Sequence, residues 1–295
     1  MTAAALSSAA ASDTGLLRDS NEDRCWIDAE RGVFLVVDGV GGHAAGAVAA
    51  ETAVDAIRET IFVQGTPEER VRHAITQANR RIYERAQREN GCRGMACVLT
   101  LAVVERGEIT VGHVGDSRLY LIWNGSIRKL TSDHSPVGED EDAGAITEAE
   151  AMLHPRRNEV FRDVGSRPRS AGDTDFIEIR RCLFHPDASI LLCSDGLTDH
   201  LTAAQVREIV ERYDGDAERV AGLLVEAANA AGGRDNITAV FVAGPEFRAR
   251  QSATRPRASV TRLRRRRGLF TGRAAFLFYG LVLGMIVWVA MRFKG

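Results

Sequence analysis

Four aspartates sit at the end of an apolar run and beside glycine or asparagine. They are Asp38 in Val36-Val37-Asp38-Gly39, Asp116 in Val114-Gly115-Asp116-Ser117, Asp195 in Cys193-Ser194-Asp195-Gly196 and Asp235 in Arg234-Asp235-Asn236-Ile237. An apolar run ending in Asp-Gly reads as a buried strand that delivers a carboxylate to a turn. One such carboxylate is an ordinary turn former. Four together point to a hard-cation site, because Mg²⁺ and Mn²⁺ take oxygen ligands and carboxylates are the strongest available. The run from Arg18 to Asp23 adds an arginine close to Glu22 and Asp23. A fixed arginine can grip two phosphate oxygens with its planar fork while the acids hold metal waters. In Asp38-Gly39-Val40-Gly41-Gly42-His43 the glycines let the backbone approach a ligand and turn a carbonyl toward a cation. A carboxylate there can bridge two metals, which lowers the pKa of a shared water enough to attack phosphorus at neutral pH.

Such groups need a rigid frame, and the sequence supplies its elements. Val33 to Val37 reads as a short buried strand, followed by a glycine-rich turn and a helix from about Ala47 to Phe62. Thr66-Pro67-Glu68-Glu69 carries a cap, a proline at the first helical position and acids in the first turn, so a second helix starts there. Asn90-Gly91 stops it. Val98 to Val104, Ile109 to Val114, Leu119 to Trp123 and Ile127 to Leu130 read as strands joined by hairpin turns. Residues 132–170 are polar and irregular, with one helix predicted over Glu148 to Leu153; an excursion that long inside a compact domain is usually functional. Strands resume at Phe176 to Arg180 and Ile190 to Cys193. Helices follow at about Ala203 to Tyr213 and Asp216 to Ala230, and a last strand at Ile237 to Val242. Strands, two helices, many strands, two helices and one strand do not alternate as a parallel α/β fold would. The order predicts antiparallel sheets with helices packed outside.

Composition narrows the class. All 40 acidic residues precede Phe247, against 26 of the 38 basic ones, so residues 1–246 carry a net charge of −14. An acidic body excludes a nucleic-acid partner, which needs a basic face, and suits a protein that gathers cations. The five cysteines form no Cys-x-x-Cys pair, and Cys97, Cys182 and Cys193 sit in apolar runs, which fits core thiols in a reducing compartment.

The ordered motifs then carry a resemblance. Arg18 to Asp23, Asp38 to His43, His113 to Arg118, Thr131 to Ser135, Cys193 to Leu197 and Gly233 to Thr238 resemble the motifs of the metal-dependent Ser/Thr protein phosphatases of type 2C. The match is closest to the bacterial branch, which His154-Pro155-Arg156-Arg157-Asn158 also fits, and it spans about Ser12 to Val242. Each motif alone is weak; six in order are specific. The resemblance implies an α+β, four-layer αββα sandwich of two antiparallel β-sheets flanked by helices, with a two-metal cleft at one end. It implies that Asp38 bridges two Mg²⁺ or Mn²⁺ ions and that Asp195 and Asp235 complete the first site. The Gly39 carbonyl would serve the second ion, with Glu22 and Asp23 acting through waters. Asp116, with Asp195, would hold a weaker third ion. Arg18 would hold the substrate phosphate, and Asn236 would support Asp235. The implied activity is hydrolysis of phosphoserine and phosphothreonine in proteins by a metal-activated water, with residues 132–170 as a mobile flap beside the cleft. An opposing Ser/Thr kinase is the expected partner.

The chain departs from the pattern in places. Gly94-Met95-Ala96 stands where the family usually has Gly-Thr-Thr, which touches packing rather than ligands. Val40 follows Asp38-Gly39 where a proton-donating histidine stands in the eukaryotic branch, so His43 reads as a helix-entry residue. His113 and His134 read as structural, and the acidic run Glu139 to Asp142 reads as a solvated loop. Two rivals stand beside the enzyme reading: a catalytically dead binding module on the same fold, and a phosphatase dedicated to one regulatory partner. The complete acid set speaks against the first; Arg18 and Asn21-Glu22-Asp23 favour the general type over the second.

The termini complete the expected organisation. Residues 1–11 are expected to be a disordered leader, 12–246 the phosphatase domain and 247–273 a basic linker. Residues 274–291 read AAFLFYGLVLGMIVWVAM, 18 residues without a charge, flanked by Arg264 to Arg267 and by Arg292. This is the lower edge of a transmembrane helix; a buried C-terminal helix is the alternative. The positive-inside rule would keep the catalytic domain cytoplasmic, anchored to the bacterial inner membrane, with 292–295 as a short tail. Gly280 and Gly284 form a Gly-x-x-x-Gly pair, which marks either a dimerisation face or simply the glycine content of spanning helices.

Overall fold

The computed structural model describes residues 6–41 and 44–248. The transmembrane helix expected at 274–291, most of the basic linker, the 292–295 tail and His43 lie outside them. Among the described residues no helix is long and apolar enough to cross a membrane.

Two five-stranded antiparallel sheets form the centre. One has the order β1-β10-β9-β6-β7, from Ser7–Asp13 (β1), Arg118–Trp123 (β6), Ser126–Lys129 (β7), Ser189–Cys193 (β9) and Ile237–Ala243 (β10). The other has the order β2-β3-β4-β5-β8, from Arg24–Asp28 (β2), Val33–Val40 (β3), Ala96–Glu105 (β4), Glu108–Val114 (β5) and Glu178–Leu183 (β8). Helices α1 (Ala44–Thr60) and α2 (Pro67–Arg88) cover the second sheet. Helices α6 (Ala203–Val210) and α7 (Ala217–Ala230) cover the first. The expected αββα layering of two helix-flanked antiparallel sheets is therefore observed.

The inner strands β3, β4, β9 and β10 are largely apolar on both faces because both faces are buried. In β3, Val33, Leu35 and Val37 pack under the helices, while Phe34 and Val36 pack between the sheets. The period of two then places the chemistry. Asp38 continues the register of Phe34 and Val36. Asn236 continues that of Val240 and Val242, Ser194 that of Ile190 and Leu192, and Asp23 that of Cys25 and Ile27. All four come to one end of the gap between the sheets. Thr66 caps α2 in a full capping box with Glu69, as its sequence predicts.

Three expectations need correction. The leader is not disordered over its second half: Ser7–Asp13 pairs with β10 along its whole length, from Ser7 opposite Ala243 to Asp13 opposite Ile237. Its Ala/Ser composition hides a strand because the ladder's backbone bonds, rather than large side chains, hold an edge strand; Ala9 and Ala11 are small enough to lie against α7. The domain thus begins by Ser7. The acidic run is not a solvated loop, since it belongs to helix α3 (Pro136–Asp142), where Glu141 meets buried Arg118 at 2.7 Å and Asp142 meets Lys129 at 2.7 Å. The strand expected from Phe176 lies at Glu178–Leu183 instead, and Phe176 and Ile177 are core residues under α2.

Candidate metal and phosphate site

The loops at this end of the sandwich surround a cleft of about 390 Å³. Asp38, Gly39, Asp116, Asp195, Asp235, Asn236, Glu22 and Arg18 all line it. Of the residues predicted for the site only Asp23 is not at its surface. It is 3% exposed and lies just beneath, accepting a 2.7 Å hydrogen bond from Ser194 Oγ at its Oδ2. Ser194 Oγ in turn accepts from the Thr238 amide at 2.9 Å, so the first motif is tied to both β9 and β10.

Asn236 organises the loop that carries Arg18. Its Nδ2 donates to the carbonyls of Thr14 and Ser20, both at 2.9 Å, and its Oδ1 accepts from the Glu22 amide at 2.8 Å. Its own amide donates to Asp235 Oδ1 at 2.8 Å. Arg18 Nη2 donates to Asp235 Oδ2 at 2.6 Å. That contact uses one of the five N–H donors of the guanidinium, whose side chain is half exposed at 52%.

Glycine is required where β3 meets α1. A Cβ on Gly46 would stand 1.9 Å from Glu22 Oε2, and one on Gly39 would stand 2.2 Å from the Gly46 carbonyl. These two bare positions let the Glu22 carboxylate reach the first turn of α1 and let the Gly39 backbone face the cleft. Gly115 adopts φ +110°, and its Cβ would strike Val98 at 2.2 Å; the chain can turn Asp116 into the cleft only there.

The carboxylates oppose one another. Burial, then Asp23, Asp195, Asp116 and Asp235, push Asp38 well above the usual carboxylate range. Burial, then Asp116, Asp199 and Asp235, do the same to Asp195. Burial and Asp133 lift Asp116 to about 7, and burial lifts Asp23 to about 6. Two carboxylate oxygens, Asp23 Oδ1 and Asp195 Oδ1, are buried with no hydrogen-bond donor. Crowded acids with orphaned oxygens fit hard divalent cations, which supply the missing positive charge.

Sequence reasoning missed Asp199. It follows α5 (Asp195–Thr198), its carboxylate raises Asp116 and Asp195, and it accepts from Arg157 Nε at 2.7 Å. The four-residue spacing from Asp195, which puts both on one helical face, was the available signal. His113, His134 and Glu178 offer ligand atoms within 4.8 Å of one another. Their hydrogen bonds assign them to structure instead. His113 Nε2 donates toward the Gly115 and Ser132 carbonyls at 2.9 and 3.1 Å, and its Nδ1 meets Thr100 Oγ1 at 2.9 Å. His134 Nδ1 accepts from the Gly115 amide at 3.0 Å. Burial lowers both histidines, His134 to about 2, so the pair is neutral. They hold the start of the flap against the loop that carries Asp116. The flap's far end is fixed by a two-way backbone bridge between Val164 and Cys97.

The family model described as Protein phosphatase 2C matches residues 10–237. The chain belongs to that family. The serine/threonine phosphatase stp of Listeria monocytogenes serovar 1/2a is 35% identical over 239 residues, covering 78% of this chain and 92% of that protein. Protein phosphatase PhpP of Streptococcus pneumoniae strain D39 is 32% identical, covering 78% and 94%. Among solved structures, the serine/threonine phosphatase PstP/Ppp of Mycobacterium tuberculosis superposes with a TM-score of 0.72 at 30% identity, covering 81% of this chain and 98% of that one. A PstP catalytic domain in complex with two manganese ions superposes with a TM-score of 0.71 at 29% identity, covering 81% and 98%. This protein phosphatase 2C chain is a protein-serine/threonine phosphatase that uses Mg²⁺ or Mn²⁺.

Proposed function

We propose that the chain hydrolyses phosphoserine and phosphothreonine in proteins at the cleft between its sheets. The observation that carries this is the meeting of five predicted carboxylates with Arg18 at one mouth, where Asp195 Oδ1 is buried without a donor, as is Asp23 Oδ1 just beneath. Asp38 would bridge two ions, with Asp195 and Asp235 completing the first site and the Gly39 carbonyl serving the second. Glu22 and Asp23 would hold metal waters, and Asp116 with Asp195 would take a third ion. When bound, the ions supply an acidified water nucleophile and positive charge for the phosphoryl oxygens. Arg18 grips the phosphoryl group with the donors that Asp235 leaves free, and so fixes it in line for attack. Asn236 keeps Arg18's loop and Asp235 in register. The histidine pair and the Val164–Cys97 bridge hold the two ends of the flap beside the mouth.

The test uses the full chain and a phosphothreonine peptide, with Mn²⁺ or with EDTA. Metal removal abolishes turnover, and Asp38→Asn lowers it at least about 100-fold. Undiminished turnover in either case overturns the reading.

The reading extends to location. The 18 uncharged residues 274–291 beside Arg264 to Arg267 support a single-pass anchor in the bacterial inner membrane, with the catalytic domain cytoplasmic. An opposing Ser/Thr kinase would supply the phosphoproteins.

A further inference from the structure

The cleft's floor is polar, and its rim carries aliphatic side chains beside exposed Asp19, Ser20 and Asn158. Leu17, from the β1–β2 loop, is 72% exposed and Val40, at the end of β3, is 42% exposed; both line the cleft. Val160, half-buried in the flap, lines it as well. A single exposed aliphatic side chain is ordinary on any protein surface. Here three separate segments each bring one to the same mouth, and neither Leu17 nor Val40 belongs to any of the three cores. Their placement is therefore unexplained by folding.

Position says what they would touch. Leu17 directly precedes Arg18, the phosphate-gripping residue, and shares its cleft mouth with Val40 and Val160. A substrate whose phosphoryl group is held by Arg18 must lay the residues beside the phosphate across that mouth.

We propose that Leu17, Val40 and Val160 form an aliphatic shelf that receives an aliphatic side chain flanking the phosphorylated residue of the substrate. This deepens the phosphatase reading and rests on it. The shelf sets substrate preference and leaves the reacting atoms alone. Covering Leu17 and Val40 removes apolar surface from water, which a serine or lysine neighbour in the substrate does not do as well.

The test uses the Mn²⁺-loaded full chain and three phosphothreonine peptides, identical except for leucine, serine or lysine on both sides of the phosphothreonine. The leucine peptide is expected to show a kcat/KM about 5- to 10-fold above the serine peptide, carried by KM. In the double variant Leu17→Ser/Val40→Ser that ratio falls to within about twofold, whereas Leu17→Met retains it. Leu183→Ser, on an exposed leucine of β8 outside the cleft, leaves the ratio as it is in the unaltered chain. Equal rates on leucine and serine peptides, a preference for lysine, or a leucine preference that survives in the double variant would each overturn the shelf. p-Nitrophenyl phosphate separates the two readings. If the unaltered chain hydrolyses it but ignores the flanking residue, only the shelf fails; if it hydrolyses neither it nor the peptides, the phosphatase reading fails too.

Discussion

Asp116 shows how a single residue reports on the state of the site. Its carboxyl titrates near 7 when no cation is present, chiefly through burial and then through Asp133. In the unfolded chain it titrates near the ordinary value of about 3.9. Between those values the folded form binds a proton that the unfolded form has lost, so this residue's contribution to stability declines as pH rises through the window. In EDTA, Asp116→Asn should therefore match the unaltered chain's Tm at pH 4 and exceed it by a few degrees at pH 8. Calorimetry across that range checks this, and a difference independent of pH counts against it. Most of the site was legible at this scale, since four strand-end aspartates, each an ordinary turn former alone, recur within six ordered motifs. Asp199 was not, because Asp195-Gly196-Leu197-Thr198-Asp199 looks like an ordinary helix start until the fold sets it against Asp116. Nor did the sequence say that Arg18 would rest on Asp235; only the meeting of residues 217 positions apart shows that.

At the scale of elements, the large apolar strands and well-capped helices were readable and the modest ones were not. Thr66 and Glu69 announce α2 in their own chemistry, whereas β1 announces nothing, because a strand of alanine and serine owes its existence to β10. Deleting residues 1–11 should lower Tm by about 5 °C or more, since it strips most of the ladder from β10 and uncovers part of α7. A true leader could be removed without loss, so an unchanged melt would restore that description. The acidic run misled for a related reason: four consecutive acids look solvated until a buried cation is found opposite them. Arg118 is 10% exposed in its side chain and shares Nη2 between Asp133 at 2.6 Å and Glu141 at 2.7 Å. Glu141→Gln should cost about 1–3 kcal/mol in urea unfolding, because it removes the charge of one of the two carboxylates that hold a buried guanidinium. Glu139→Gln, which has no such partner, serves as the comparison and should change stability by less than about 0.5 kcal/mol.

At the scale of the whole molecule, charge and hydropathy divide the chain more sharply than its length suggests. The acidic body up to Glu246 is followed by a segment with ten arginines before residue 274 and then by 18 residues without a charge. The full chain is expected in the membrane fraction and a chain ending at Arg248 in the soluble fraction, both retaining peptide phosphatase activity. Recovery of the full chain in the soluble fraction would remove the anchor from the proposal. The pairing of β1 with β10 has a further consequence, for synthesis. The first strand leaves the ribosome early and must wait for a partner made more than 200 residues later. Asp235 and Asn236 arrive immediately before that partner, so the cleft lacks part of its lining on an incomplete chain. A nascent chain should thus stay catalytically silent until its last core strand has emerged, and a truncation anywhere before Ala243 should yield no partial enzyme.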